Sequence, residues 1–248
     1  MSGELVRAYP STNDGVENEI IAPGEVSRFL LHRLAQLARD LRPVLICGET
    51  GTGKTVLAQV LHAHSPVSRA QRTINCAALS DGLLADQLRD LDHEPSTLFL
   101  DEVGELSPWG QAVLLHRLQQ DQGQTRFVAA THRDLGWMVQ NGGFSGDLLA
   151  KLSGVRVLVS PLRARREDIT PLALHFLRIG LRGANLKLIS VEPELFNLVE
   201  RHDWPGNVRE LRNAMLNALA VNESGMLEVA DLPDAVRAPP AIARGYSR

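Results

Sequence analysis

Residues 44–55 read Val-Leu-Ile-Cys-Gly-Glu-Thr-Gly-Thr-Gly-Lys-Thr, an apolar run that leads into a glycine-rich segment. A short continuous apolar run is typical of a strand buried on both faces, and helical spacing begins at Lys54. The segment between them fits the phosphate-binding pattern G-x-x-x-x-G-K-[ST] in full. We therefore predict a strand, a P-loop and a helix in that order. The predicted P-loop consists of Gly48, Glu49, Thr50, Gly51, Thr52, Gly53, Lys54 and Thr55.

The spacing of this segment follows from the chemistry of phosphate binding. Glycines let backbone N–H groups turn inward around phosphate oxygens, and the helix N-terminus adds positive potential. In such a loop Lys54 reaches the β- and γ-phosphates, and the Thr55 hydroxyl ligates magnesium. ATP with Mg²⁺ is therefore the predicted ligand, and the alternative is a glycine turn that binds nothing.

An acidic pair follows a second apolar strand. Residues 97–100, Thr-Leu-Phe-Leu, are followed by Asp101 and Glu102. A P-loop protein needs one carboxylate for magnesium and another group that orients the attacking water. We assign Asp101 to the metal and Glu102 to the water. Taken alone, such a pair is often only a solvated strand end, but after a P-loop it points to nucleotide chemistry.

The rest of the chain alternates between strands and helices and then becomes helical. Strands separated by helices predict a mostly parallel, five-stranded sheet flanked by helices, which is an α/β fold. The three further strand candidates are residues 73–75, 126–130 and 155–159. After Pro161 the apolar spacing is helical only, at residues 168–181, 192–201 and 207–221.

These patterns divide the chain into four parts. We predict a flexible leader at 1–22, an α/β nucleotide-binding subdomain at 23–160, an all-helical lid subdomain at 161–236 and a tail at 237–248.

The composition limits the classes of protein. The 248 residues carry a formal charge of -3, with 44% hydrophobic and 22% charged residues. This suits a folded domain, and the mild acidity argues against broad electrostatic binding to nucleic acid. No window approaches 18 consecutive apolar residues, and the N-terminus lacks the apolar core of a signal peptide. We expect a cytoplasmic protein that binds neither a membrane nor, directly, nucleic acid.

Six motifs along the chain resemble, in order, the AAA+ domain of sigma-54-dependent bacterial transcription activators. The resemblance extends from about Ala22 to Val236. It implies an α/β subdomain with a helical lid, a nucleotide held between them, and assembly into a ring, usually a hexamer. The motifs are GETGTGKT at 48–55, NCAAL at 75–79, STLFLDEVGEL at 96–106, AATHRDL at 129–135, PLRARREDI at 161–169 and WPGNVREL at 204–211.

The resemblance also implies roles for three residues outside the P-loop. Asn75 resembles the residue that holds Glu102 in an inactive pose until the γ-phosphate is sensed. His132 lies where the family has its first sensor, and Arg209 resembles the second sensor, a lid arginine that reads the nucleotide state. Structural alternatives stay open: Asn75 as a helix cap, His132 as a surface histidine, and Arg209 as the partner of Glu210 or another lid carboxylate.

The chain departs from the family's pattern in the segment before residue 96. Members of the family insert here a loop with the hexapeptide Gly-Ala-Phe-Thr-Gly-Ala, which contacts sigma-54 and transmits the motor stroke. Residues 87–95 read Gln-Leu-Arg-Asp-Leu-Asp-His-Glu-Pro and lead directly into the next strand. We therefore expect the chain to lack the part that contacts sigma-54.

A second departure concerns the family's F-R-x-D-L-x-x-R-L segment, whose arginines reach into the neighbouring subunit's nucleotide site. Residues 144–152 read Phe-Ser-Gly-Asp-Leu-Leu-Ala-Lys-Leu, so Ser145 and Lys151 replace the two arginines. Serine has neither charge nor reach, and lysine lacks the planar fork of a guanidinium. Because an arginine finger accelerates hydrolysis about a thousandfold or more, a ring of this chain alone is expected to hydrolyse ATP poorly. Arg156 is an alternative finger, although on a strand it also fits packing or a surface ion pair.

A third departure is that no helix-turn-helix is expected after the lid and no receiver domain before the core. We therefore expect an ATP-binding regulatory protein of transcription that acts through protein contacts, in a ring with a related activator or with itself. Its expected role is that of an adaptor, modulator or co-subunit of a full-length activator and not direct remodelling of sigma-54 polymerase. One alternative is an autonomous ATPase that remodels another client, with Lys151 or Arg156 as a weaker finger. Another is a purely structural module with a bound nucleotide.

An arginine cluster after Pro161 has two interpretations. Arg163, Arg165 and Arg166 resemble a nucleic-acid patch by charge alone. The adjacent Glu167 and Asp168 and the acidic total favour a lid-hinge or subunit contact instead.

Overall fold

A computed structural model describes residues 24–65, 70–89, 96–121, 123–184 and 190–237. Contacts between residues divide them into two units. Phe29–Ser160 form one, here the sheet unit, and residues 24–28 with 161–237 form the other, here the helical unit. The predicted leader at 1–22 and the tail beyond Arg237 lie outside the described residues.

The secondary structure of the sheet unit alternates between strands and helices as far as residue 131. Its strands β1 to β5 are Val44–Cys47, Ala70–Asn75, Ser96–Asp101, Thr125–Thr131 and Val155–Leu158. The division between the units falls within α1, Glu25–Leu37. Helices α2 to α6 are Lys54–Ala63, Asp81–Arg89, Pro108–Gln120, Leu135–Gln140 and Gly146–Leu152.

The five strands form one parallel sheet in the order β2-β3-β4-β1-β5. The predicted α/β fold with a parallel five-stranded sheet is therefore confirmed. All seven residues of β4 are buried, as are the first five of β3, because helices cover both faces of a parallel sheet. β2 lies at one edge of the sheet and leaves most of its residues exposed, which explains its weaker apolar signal.

A buried arginine donates hydrogen bonds to the carbonyls at the C-terminal end of α1 in the sheet unit. Arg126, on β4, is 1% exposed, and its guanidinium donates to the carbonyls of Leu37, at 3.0 Å, and Ala38. Burial lowers the pKa of Arg126, and nearby Asp40 opposes this shift. The last carbonyls of a helix lack intrahelical partners and carry negative potential, so a guanidinium both satisfies them and complements the helix dipole.

Two helices between β4 and β5 were not predicted from the sequence. Each begins at a side-chain cap: Asp134 accepts from the Trp137 N–H before α5, and Ser145 accepts from the Leu148 N–H before α6. Both helices have seven residues or fewer, which is too short for an apolar repeat to be visible.

The helical unit packs four helices around its own apolar core. They are α7 to α10, at Ile169–Ala184, Pro193–Arg201, Asn207–Val221 and Asp234–Arg237. The core includes Trp204, Leu195, Leu211 and Met215, each 0% exposed. Among the described residues, no helix in either unit has the length and apolar character needed to cross a membrane.

The prediction that this part contains no strand is wrong. Ser190–Val191 (β6) pairs in parallel with Met226–Leu227 (β7). Two-residue strands have no detectable alternation, so the sequence pattern around them was dominated by the neighbouring helices.

Candidate functional site

The candidate site lies at the carboxyl edge of the sheet. In parallel strands the carboxyl ends share one edge, where ligands of such folds bind. Because β4 lies between β3 and β1, the segments that follow these three strands are neighbours. They carry the P-loop after β1, Asp101 and Glu102 at the end of β3, and His132 after β4.

The backbone of the predicted P-loop has the conformation that its glycines permit. Gly51 and Gly53 have φ values of 80° and 102°, which residues with a Cβ rarely adopt. At Gly48 a Cβ would lie 2.9 Å from the carbonyl oxygen of Val159, so a side chain does not fit there. Among the described residues, a Cβ added at Gly53 meets nothing within 4 Å, and the space beside the N-terminus of α2 is open. The loop can therefore admit a ligand at the helix N-terminus.

The ammonium group of Lys54 points into the loop. It donates to the carbonyls of Gly48 at 2.9 Å and Glu49 at 3.2 Å, and lies 3.7 Å from Oε1 of Glu102. Lys54 is only 6% exposed, and a buried cation requires such partners. With the helix N-terminus and the glycines, this cation makes a cradle that fits a chain of phosphates.

The remaining loop residues occupy distinct environments. Thr52 is buried, and its hydroxyl donates to the Glu49 carbonyl at 2.8 Å. Thr50 is exposed in the turn, and Thr55 is exposed in the first turn of α2. Thr55 is therefore accessible to a metal ion bound to phosphates, as its predicted role requires.

Glu102 is held by His132. Its Oε2 accepts from the ring Nδ1 of His132 at 2.7 Å and from the His132 backbone N–H at 3.2 Å. Glu102 has φ 54° and ψ 48°, and its N–H lies 3.1 Å from Oδ1 of Asp101. The structure thus brings Lys54, Asp101, Glu102 and His132 together at one point of the sheet edge.

Asn75 makes a different contact from the one that the family resemblance implies. Its side-chain oxygen accepts from the Ala77 N–H at 3.0 Å, which stabilises the turn after β2. It is aligned with Asp101 in the β2–β3 register. Among the described residues, the structure gives no hydrogen bond between Asn75 and Glu102, and α3 begins only at Asp81, so the contact of Asn75 lies within a turn and is not the cap of that helix.

Arg209 lies on α9 in the helical unit. It is exposed, and among the described residues it forms no salt bridge; the Glu210 carboxylate instead accepts from the Gly206 N–H at 2.7 Å. Its position in the helix is set by the WPGN turn, in which Trp204 and Asn207 have φ values of 50° and 55°.

The segment that replaces the family's arginines forms the start and end of α6. Ser145 caps the helix, as its hydroxyl accepts from the Leu148 N–H at 3.3 Å. Lys151 is exposed in the last turn, and Arg156 is exposed on the edge strand β5. Ser145 is the N-cap of α6 and Lys151 lies in its last turn, so this one short helix sets the backbone position of both residues.

Gln111 is a positioning residue that sequence reasoning missed. It is 4% exposed, donates to the carbonyls of Leu106 and Gly143, and accepts from the Ser145 N–H at 2.8 Å. It therefore fixes the chain in front of α6. The sequence does contain a signal for this role: Gln111 lies three residues before Leu114, which places a polar side chain on the apolar face of α4.

The arginine cluster after Pro161 is engaged within the helical unit. Arg165 lies 3.6 Å from the buried Asp168 and donates to Ser27, which also bonds to Asp168. Arg166 donates to the Glu200 carbonyl and pairs with Asp203 at 2.9 Å. The guanidinium groups of Arg165 and Arg166 are therefore engaged by partners within the helical unit.

Two cysteines adjoin the site. Burial raises the pKa of Cys76 to about 12, with smaller contributions from Asp101 and Glu102. Burial also raises the pKa of Cys47, the last residue of β1. Both side chains are therefore protonated thiols at neutral pH.

The comparisons with known proteins agree with the fold and with the family resemblance. Residues 21–162 match the family described as the sigma-54 interaction domain, and residues 163–245 match the AAA+ ATPase lid domain. The transcriptional regulatory protein ZraR of Salmonella typhimurium is 37% identical over 251 residues, which cover 89% of this chain and 57% of ZraR. The response regulator protein FleR of Pseudomonas aeruginosa is 37% identical over 247 residues, covering 87% of this chain and 52% of FleR.

A solved structure has the same fold. Crystal structures of NtrX from Brucella abortus in complex with ADP or ATP have a TM-score of 0.81 and are 24% identical. They cover 90% and 88% of this chain and 57% of NtrX. The chain spans about half the length of the curated relatives that it matches.

Proposed function

The chain belongs to the family of sigma-54 interaction domains, and on this premise we propose that it binds ATP with Mg²⁺ and regulates transcription through protein contacts. In this role it is an adaptor, modulator or co-subunit of a full-length activator and does not itself remodel sigma-54 polymerase. The relatives ZraR and FleR are both named as regulatory proteins, which supports a role in regulation.

The groups proposed to bind the triphosphate all belong to the sheet unit. Lys54 exchanges the Gly48 and Glu49 carbonyls for the β- and γ-phosphate oxygens, which are stronger partners because they carry charge. Backbone N–H groups at the start of α2 surround the phosphates. Thr55 and Asp101 are the residues that would hold Mg²⁺, which neutralises charge on the phosphates.

Hydrolysis requires a group that orients water, and Glu102 fills this role in the proposal. Its carboxylate lies 3.7 Å from Lys54, so it is close to where the γ-phosphate is expected. A charged finger from the adjacent subunit is also needed for fast phosphoryl transfer. In the proposal, one subunit supplies all of these groups except the finger, which comes from its neighbour.

The observation that carries the partner-dependent part of the proposal is Ser145. In the family this position holds an arginine that acts across the subunit boundary, whereas here a short hydroxyl caps α6. Lys151, at the second position, is charged but cannot form the planar, two-pronged contact of a guanidinium. A site in a ring of this chain alone therefore lacks guanidinium stabilisation from these two positions.

The segment between α3 and β3 supports the same division of roles. α3 ends at Arg89 and β3 begins at Ser96, so only residues 90–95, which lie outside the described residues, separate them. The hexapeptide Gly-Ala-Phe-Thr-Gly-Ala does not occur in the sequence. What a subunit supplies to its own nucleotide is retained, and what it supplies to sigma-54 or a neighbour is altered.

Nucleotide binding is tested by titrating the protein with a fluorescent ATP analogue in the presence of Mg²⁺. We expect saturable binding to the parent chain and loss of at least a hundredfold in affinity for Lys54→Ala, about 2.7 kcal/mol. Arg39→Ala, which removes an exposed cation of the same unit, is the matched control and should bind like the parent. Equal binding by Lys54→Ala and the parent would contradict the assigned P-loop.

The partner-dependent role is tested by mixing the chain with a full-length sigma-54 activator from the same genome. We expect co-elution in the presence of ATP and a changed ATPase rate, because mixed rings contain altered subunit boundaries. No co-elution and an unchanged rate would oppose this role. Fast, Glu102-dependent turnover by the pure chain would instead favour an autonomous ATPase.

A further inference from the structure

The side chain of Gln111, on α4, joins two segments of the sheet unit that are distant in the sequence. Its Nε2 donates to the carbonyls of Leu106 at 3.0 Å and Gly143 at 3.3 Å, and its Oε1 accepts from the Ser145 N–H at 2.8 Å. A glutamine side chain has two N–H donors and one carbonyl acceptor, so both ends of the amide are engaged. Gln111 is 4% exposed, and a hydrogen bond in such an environment is stronger than one in water.

The first of these segments continues from the candidate nucleotide site. Leu106 ends the short turn that begins directly after Glu102. The Glu105 N–H donates to the Glu102 carbonyl at 2.9 Å, and the Leu106 N–H donates to the Val103 carbonyl at 3.3 Å. At Gly104 a Cβ would lie 2.8 Å from a side-chain oxygen of β4, so the turn packs closely against that strand. Because a closely packed turn transmits strain, a shift at the end of β3 reaches the Leu106 carbonyl.

The second segment, residues 143–152, is here called the finger segment. It contains the two positions, Ser145 and Lys151, at which the family resemblance implies arginines that act across the subunit boundary. Ser145 caps α6, and Lys151 is exposed in the last turn of the same helix. Because α6 has only seven residues, the hydrogen bonds that Gln111 forms at its start also affect where Lys151 lies at its end.

The helix α4 does not depend on Gln111 for its own start. The hydroxyl of Ser107 caps the helix by accepting from the Gly110 N–H at 3.0 Å, and it donates to Oδ1 of Asp81 on α3 at 2.7 Å. Leu114, in the next turn after Gln111, is 0% exposed in the apolar core. A cap and a core contact therefore fix α4, and the three hydrogen bonds of Gln111 serve the two segments that they join.

We propose that Gln111 is the positioning residue that makes the finger segment of a subunit respond to the nucleotide in that subunit's own site. This rests on the proposed function, because the response begins when the residues at the end of β3 bind ATP with Mg²⁺. The turn after Glu102 then adjusts, Gln111 follows the Leu106 carbonyl, and the chain at Ser145 moves with Gln111. In a ring, occupancy of one site thereby changes the position of Lys151 at the next site.

The contact itself is tested by amide hydrogen exchange of the nucleotide-free protein, measured by NMR. Methionine is similar in size to glutamine but lacks the amide, so Gln111→Met leaves the Ser145 N–H without its acceptor. We expect the Ser145 amide to exchange at least about tenfold faster in Gln111→Met, relative to the amides of β4 in the same protein. Gln119→Met, which changes an exposed glutamine of the same helix, is the matched control and should exchange like the parent. Equal exchange at Ser145 in all three proteins would overturn the contact.

The response is tested with a non-hydrolysable ATP analogue and Mg²⁺ at saturation, at a protein concentration where sedimentation shows a monomer. Under these conditions only nucleotide in the same subunit can act. We expect the backbone N–H signals of Ser145 and Leu148 to shift in the parent and in Gln119→Met, and to stay unshifted in Gln111→Met. The affinity of Gln111→Met for the analogue should stay within about threefold of the parent. Unshifted signals in a saturated parent, or the same shift in Gln111→Met, would overturn the link.

A second pair of variants leaves α4 unchanged. Ser145 has a φ of -71°, which proline adopts, so Ser145→Pro removes the N–H bonded to Gln111 without imposing a new φ at that residue. Ser145→Ala keeps this N–H and removes only the hydroxyl cap. We expect the nucleotide-dependent shift of the Leu148 signal to persist in Ser145→Ala and to be lost in Ser145→Pro. Equal shifts in both variants would contradict the proposal.

Failure of the proposed function gives a different result from failure of the link. If fluorescent titration shows that the parent binds no nucleotide, the P-loop assignment and the link fail together. If the parent binds nucleotide and the Ser145 and Leu148 signals do not move, the link alone fails.

Discussion

The side-chain oxygen of Asn207 accepts a hydrogen bond from the backbone N–H of Leu162 at 2.8 Å, and both residues are fully buried. Asn207 is the first residue of α9 and Leu162 follows Pro161 at the start of the helical unit. The WPGN motif therefore joins two distant parts of the chain and also sets where α9, with Arg209, begins.

Replacement of Asn207 by alanine should destabilise the helical unit by about 2 kcal/mol. The variant leaves the buried Leu162 N–H unpaired, which costs about 1–3 kcal/mol, and places alanine at a φ of 55°. Amide exchange of Leu162 and urea unfolding measure the effect.

Asn213→Ala is the control for this change. Asn213 is an exposed residue of the same helix, where alanine is a better helix former. Its stability should stay within about 0.5 kcal/mol of the parent. Equal losses in both variants would show that the Asn207–Leu162 contact contributes nothing specific.

Replacement of Arg126 by methionine should lower the free energy of unfolding of the sheet unit by about 3 kcal/mol. Methionine has similar length but removes the guanidinium from the buried Ala38 carbonyl, while the Leu37 carbonyl keeps only the Asp40 N–H. Arg39→Met, at an exposed position next to Ala38, is the matched control and should have little effect. Urea unfolding compares them, and a loss in the control as large as in Arg126→Met would refute this role.

Stability should decrease at alkaline pH because of Cys76. Its pKa is about 12 in the folded protein against 9.0 for an ordinary thiol, so the folded state keeps a proton that the unfolded state loses. The stabilisation from the protonated thiol is complete below pH 9 and is lost as pH rises from 9 towards 12. The slope approaches about 1.4 kcal/mol per pH unit.

Urea unfolding between pH 8 and pH 11 measures this slope in the parent and in Cys76→Ala. The variant should lose less stability with rising pH, while Cys47→Ala tests the second raised thiol in the same way. Other groups titrate equally in all three proteins, so only the difference in slope is informative. Parallel curves for the parent and Cys76→Ala would show that Cys76 does not titrate as described.

The features that could be predicted from the sequence are those encoded by local pattern. The run at 44–47 is apolar throughout because β1 is covered on both faces, and the next eight residues match a pattern that depends only on order. By contrast, α6 has seven residues, and β6 and β7 have two each, so none has a repeat to detect.

The contacts of the candidate site depend on the order of strands in the sheet. Glu102 and His132 are thirty residues apart and meet because β3 and β4 are neighbours. The hydrogen bond from Gln111 to the segment before α6 likewise depends on how α4 packs. Sequence reasoning placed Glu102 and His132 at strand ends, but it could not determine which side chain each contacts.

Restoring the two family arginines should increase ATP hydrolysis by the pure chain. We expect Ser145→Arg with Lys151→Arg to hydrolyse ATP at least about tenfold faster than the parent, since an arginine finger contributes about a thousandfold or more in other NTPases. Ser145→Arg also removes the hydroxyl cap of α6, which costs about 1 kcal/mol. Ser145→Ala removes the same cap without adding a guanidinium and should show no increase. Because a finger acts on the neighbouring subunit, the gain should rise with protein concentration; a gain independent of concentration, or none at all, would contradict a site that is completed across the subunit boundary.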